Sequence, residues 1–132
     1  MTKNYDEIYS SFKEWLDNLL ENNDMPEDTK AFNFNPYDEG DEVFSVQLIA
    51  SDRFAPDDDE WACCEIWSSE EDIFFVDASD EDDKSRETFQ KFITAMISDY
   101  IKQGKYGDVI GFVPVGIGFV DGGLNIIFIP EN

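Results

Sequence analysis

Apolar residues return every three or four positions from residue 5 to 21. Ile8, Phe12, Trp15, Leu16, Leu19 and Leu20 make one stripe, and Lys13, Glu14, Asp17 and Asn18 fall on the polar side. This spacing predicts an amphipathic helix, ended by Asn22-Asn23-Asp24 and Pro26. A second stripe, Phe89, Phe92, Ile93, Met96, Ile97, Tyr100 and Ile101, predicts a helix near 84–103. The acids of 77–83 precede its positive end, Lys102 and Lys105 suit its negative end, and Gly104 is a natural C′ residue.

Elsewhere the period is two. Phe44, Val46, Leu48 and Ala50 alternate with Ser45 and Gln47, the pattern of a half-buried strand over 43–50. A further strand is expected over 60–67, and Ile73-Phe74-Phe75-Val76 would close it into a hairpin over 60–77. Near the end, 115–120 and 124–129 flank Asp121-Gly122, a strong hairpin signal, with Pro114 separating them from the apolar run 109–113. Gly116 and Gly118 leave one face of that strand bare, so that a helix or a large ring can approach. The stretch from Asn33 through Asn35, Pro36 and Asp38 to Gly40 reads as a loop.

Two helices separated by hairpin-linked strands predict an α+β fold. The expected form is a mainly antiparallel sheet of about five strands, with the helices near 5–21 and 84–103 packed on one face. A chain of 132 residues with 42% hydrophobic and 15% aromatic residues predicts a single domain over 1–132 with a packed core. It shows no start signal and no apolar run of about 20 residues, which predicts a soluble, cytoplasmic protein with no membrane association. The adjacent Cys63 and Cys64 would point to opposite faces of a strand and could join only through a strained bridge, so both are expected to be reduced, core-filling thiols.

The net charge of −22 is unevenly spread. Residues 38–83 hold eighteen acids and one base, Arg53, whereas 84–132 hold five of each. Adaptation to high salt would acidify every part of the surface, and solubility needs a charge magnitude of only about 2–8. A charge confined to the middle segment suggests an acidic working face.

The chain contains no His. That removes the commonest general base, Ser/His and Cys/His pairs and most zinc sites. Cys63-Cys64 lacks the spacing of a metal clip or redox motif, and the run 77–83 lacks the register of a calcium loop. Gly116-Ile117-Gly118 sits inside a strand rather than in a phosphate loop. The expectation is a protein that is not an enzyme, with no cofactor and no metal. Direct contact with nucleic acid is opposed by phosphate repulsion.

Asp57, Asp58, Asp59 and Glu60 in one connection, and Asp80, Glu81, Asp82 and Asp83 in another, are the candidate partner-binding residues. Clustered carboxylates speed encounter with a basic protein and pair with its arginines. A nuclease, which must present Lys and Arg to grip phosphates, is a natural target. Trp61 and Trp67 lie an even number apart and are expected on one strand face, either as core under the second helix or as interface anchors.

The segment Pro56-Asp57-Asp58-Asp59-Glu60-Trp61-Ala62-Cys63 with Glu65, the motif Gly118-Phe119-Val120-Asp121-Gly122 and the helix between them resemble small acidic bacterial immunity proteins of toxin–immunity systems, including contact-dependent growth inhibition. The resemblance covers roughly 43–129. It implies a cytoplasmic antidote that binds and neutralises one cognate toxin. Two other classes compete with it: a DNA mimic or adaptor that occupies a host nucleic-acid-binding protein, and a metal-dependent hydrolase using clustered carboxylates.

Overall fold

In the computed structural model, residues 5–40, 43–55, 61, 64–69, 73–77, 86–118 and 124–130 are described, with Asp77 and Arg86 described by backbone alone. The first stripe forms α1 (Tyr5–Asn22) and the second forms α2 (Arg86–Gln103). Between and after them run β1 (Ala31–Gly40), β2 (Val43–Ser51), β3 (Glu65–Ser68), β4 (Phe74–Asp77), a short α3 (Gly107–Ile110), β5 (Val115–Ile117) and β6 (Asn125–Phe128). The fold is α+β, with three helices and a six-stranded mixed sheet. The strands follow the order β3-β2-β1-β5-β6, with β4 also on β2. Four pairings are antiparallel, but β1 and β5 run parallel at the centre.

Two expectations fail here. The stretch 33–40, expected as a loop, belongs to β1, the longest strand described. Phe32 N–H donates to Pro114 O and Phe34 O accepts from Gly118 N–H, so the backbone groups of even-numbered β1 residues face β5. Pro36 points the same way but lies beyond the last β5 partner, so its missing N–H forfeits no bond there. Similarly, the hairpin expected over 60–77 does not form. β3 pairs with Ile49–Ser51 and β4 with Val43–Val46, both antiparallel to β2. The two therefore run in the same direction along one edge of β2 and cannot pair antiparallel with each other. Ser69 marks the interruption: its N–H donates to Leu48 O (2.8 Å), and its Oγ accepts from Leu48 N–H (3.1 Å). The apolar run 109–113 begins in α3.

Strand alternation sorts the sheet's two faces. Phe32 and Phe34 of β1, Phe44, Val46, Leu48 and Ala50 of β2, Phe74 and Val76 of β4, and Val115 and Ile117 of β5 join one buried cluster with the helices. From α1 come Phe12, Leu16 and Leu19; from α2 come Phe92, Ile93, Met96, Ile97 and Tyr100; Ile110 comes from α3. Aromatic edges lock this layer, with Phe12 against Phe74 (5.4 Å, T-shaped) and Phe44 stacked on Phe89 (4.3 Å).

The two long helices are also tied by polar contacts. The Tyr100 hydroxyl donates to Asp17 Oδ1 (2.8 Å), and the Tyr5 hydroxyl donates to Asp99 Oδ2. Burial and the neighbouring carboxylate push both phenol pKa values well above the ordinary tyrosine range. Gly104 ends α2 for a steric reason, since an added Cβ would lie 2.5 Å from the Tyr100 ring.

Candidate functional site

The odd-numbered positions of β1 and β2 face away from the helices: Asn33, Asn35 and Tyr37 on one strand, and Ser45, Gln47, Ile49 and Ser51 on the other. This second face differs along its length. At the Ser51 end it is capped. The Ser51 hydroxyl donates to Trp61 O (2.6 Å) and accepts from Arg53 N–H (3.2 Å), and Cys64 N–H donates to Trp61 O (3.1 Å). Trp61, almost fully buried, meets Phe54 edge to face (5.3 Å) and lies over Gly116. A Cβ on Gly116 would stand 3.1 Å from the Trp61 ring and 2.8 Å from Asn33 Oδ1. The bare strand face expected around Gly116 thus receives a large ring.

The expected setting of the tryptophans is corrected in two respects. Trp61 lies outside β3 and on the sheet face opposite the helices, so it is core but not core under α2. Trp67, paired with Ala50, is half-buried against the helix-side cluster. The even-number argument failed because the strand starts only at Glu65. Cys64 is half-buried rather than central to the core; Cys63 lies outside the described residues.

At the other end the described residues leave an aromatic ring of the second face in solvent. Phe75, opposite Ser45 on β4, is 59% exposed. Tyr37, also opposite Ser45 but on β1, is half-buried, with its hydroxyl donating to Gln47 Oε1 (3.2 Å). Burial raises the Tyr37 phenol pKa first, and the charges of Glu65 and Glu39 raise it further. Ser45 Oγ donates to Glu39 Oε2 (2.5 Å), holding that carboxylate on this face. Ile66, 39% exposed, is the extra residue of the β2–β3 bulge beside Glu65. Exposed apolar side chains with carboxylates on the same sheet suit an interface centre and its rim.

All eight nominated acids, Asp57, Asp58, Asp59, Glu60, Asp80, Glu81, Asp82 and Asp83, lie outside the described residues. Their attachment points are described. The first segment leaves from Ala55 and returns at Trp61, by the Ser51 end of β2; the second leaves from Asp77, opposite Val43. These ends are separated by the length of β2, roughly 26 Å for eight strand steps. Phe75, Tyr37, Gln47, Glu39 and Glu65 were missed from sequence. Their face is decided by long-range pairing, and four consecutive apolar residues at 73–76 hide the one turned outward.

Two cavities flank the strand ends. One, about 590 Å³, is lined by Lys30, Asp52, Arg53, Phe54, Ala55, Trp61, Cys64 and Pro114. The other, about 380 Å³, lies between the α1–β1 connection and α3. Among the described residues, no group of three or more Cys, Asp or Glu could hold a metal ion, and no helix is long and apolar enough to cross a membrane. Comparison with family models, with curated proteins and with solved structures returns no match for this chain.

Proposed function

We propose that the protein is an inhibitory binding protein of the immunity type, which neutralises a basic partner, a nuclease toxin being the class that fits best. The observation that carries this reading is the apolar ring that the described residues leave in solvent on the sheet's second face. Phe75 stands exposed on one side of Ser45 and Tyr37 half-buried on the other, with Glu39 hydrogen-bonded to Ser45. An apolar centre supplies affinity once water is excluded, and an acidic rim steers and orients a basic surface. The acid-rich segments attach to the sheet at the two ends of β2, so a partner seated on this face approaches between them. A rigid sheet suits such a role, because preformed side chains lose little freedom on binding.

The reading is tested by capture with the tagged protein at low salt and at roughly 0.5 M salt, where screening shortens the reach of surface charge. Wild type and Phe75→Ser are compared. One basic protein recovered in near-stoichiometric amount by wild type, lost with the variant, and inhibited in a nuclease assay by added wild-type protein is the expected result. A scatter of nucleic-acid-binding proteins captured equally by both forms would sink it.

A further inference from the structure

We propose that the groove between the α1–β1 connection and α3 is a second docking site, and that its occupant is a basic amphipathic helix of a partner protein. The groove, about 380 Å³, has room for one or two large apolar side chains. Met25, Phe32, Val109 and Val113 form its walls, and Phe112 stands at its border with 80% of its surface in solvent. Val109 is itself 38% exposed. A phenylalanine left this bare beside an open apolar groove marks a surface that is covered in use. The adaptable thioether of Met25 lets such a groove fit more than one side chain.

The charge of the rim selects the occupant's polar face. Glu27 and Asp108 line the groove, and no lysine or arginine does. The nearby base Lys105 is ion-paired with Glu21, and Lys30 lines the other cavity. Lysines or arginines flanking the occupant's apolar residues would meet unneutralised carboxylates.

Backbone bonding selects its conformation. Thr29 N–H donates to Pro26 O, Phe32 N–H to Pro114 O, and the amides of Val109 and Ile110 to Tyr106 O. These amides are therefore not available to an added strand. An occupant must satisfy its own backbone, as a helix does, and present apolar residues at i and i+4.

The test uses the full chain and two fluorescein-labelled peptides of Leu and Lys, each roughly 18 residues or five helical turns. One has its leucines on a single helical face; the other has the same composition and charge in scrambled order. At about 0.15 M salt, fluorescence anisotropy is expected to show the amphipathic peptide binding about tenfold more tightly, the effect of burying one or two apolar side chains. The Met25 methyl NMR signal should move on binding while that of the buried Met96 stays still. Phe112→Ser should erase the preference, the double variant Glu27→Lys and Asp108→Lys should weaken the amphipathic peptide, and Phe75→Ser should change neither. Equal affinity for both peptides, or a preference unaffected by Phe112→Ser, would overturn the proposal. So would concentration-dependent self-association abolished by Phe112→Ser, which would make a second copy the occupant. Because the Phe75 variant is an internal control, failure at this groove is separable from failure at the open sheet face.

Discussion

The two faces of one sheet are built from alternate residues of the same strands, yet they are physically unlike. On the helix side, β2 contributes Phe44, Val46, Leu48 and Ala50 to a continuous buried cluster shared with α1 and α2, and Phe44 stacks on Phe89 of α2. On the other side the same strand contributes Ser45, Gln47, Ile49 and Ser51, which lie outside the helix-side cluster and, among the described residues, are capped by Trp61 at the Ser51 end. The covered face carries stability, through apolar area removed from water at about 25 cal/mol per Å². The second face leaves Phe75 in solvent. If it is the binding face proposed above, its exposed side chains can vary while the fold is maintained by the other.

The largest effect is expected from Phe12→Ala. Phe12 is fully buried and touches Trp15, Phe34 and Phe74, so it joins α1 to β1 and β4. Its truncation leaves a cavity at the centre of the covered face, and urea unfolding should show a loss of about 3–5 kcal/mol. A loss below about 1 kcal/mol would mean that α1 is not integral to the core.

Gly116→Ala comes next and tests the capped end of the second face. The new methyl would stand 2.8 Å from Asn33 Oδ1 and 3.1 Å from the Trp61 ring, so the ring must move. A loss of about 1–3 kcal/mol is expected. Trp61 fluorescence, read in a Trp15→Phe, Trp67→Phe background, should shift toward the red as the indole is exposed. Trp61 Nε1 and Asn33 Oδ1 are both buried without a partner, so this end has polar groups ready to rearrange or to take up water.

How far these faces were legible in sequence follows from the range of the interactions that set them. α1 and α2 were legible because a stripe at helical spacing is a local signal, and β2 because its alternation is uninterrupted. β1 was not, because its open-face positions are Asn33 and Asn35 and its Pro36 imitates a turn; only the end point of β5 makes that proline harmless. The edge formed by β3 and β4 was misjudged as a hairpin because Ser68-Ser69-Glu70-Glu71 reads as a link between two strands, while both strands in fact choose β2. For the candidate site, the sequence showed the sign of the charge and its confinement. It could not show that Tyr37, Glu39 and Phe75 gather around Ser45, since they come from two strands brought together through β2.

A smaller effect separates the faces by pH. Tyr5 and Tyr100 pair with Asp99 and Asp17 between the helices, and their phenol pKa values are raised by burial first and by these carboxylates second. Above about pH 10 the unfolded chain has lost phenol protons that the fold retains. Stability from these protons is therefore complete below that pH and is lost as pH rises further. Tyr100→Phe should cost about 1 kcal/mol at neutral pH, the worth of one hydrogen bond. It should also make the alkaline fall in Tm shallower. Tyr37→Phe on the open face should leave that alkaline limb closer to wild type, its phenol having no carboxylate as a direct partner. An alkaline limb unchanged by Tyr100→Phe would remove the helix-side tyrosines from the account.

The smallest change in stability is expected from Phe75→Ser, and it is the most discriminating. With 59% of its surface already in water, Phe75 gains little from folding, so serine should alter the unfolding free energy by no more than about 0.5 kcal/mol. If the open face is a binding surface, the same substitution should weaken the partner about tenfold or more, because burial of that ring occurs in the complex instead. Glu39→Lys and Glu65→Lys should act differently again, slowing association and flattening its salt dependence while leaving dissociation nearly unchanged, as rim charges do. A large loss of stability in Phe75→Ser would show that the exposed ring supports the fold, and the division of labour between the faces would fail at the residue that defines it.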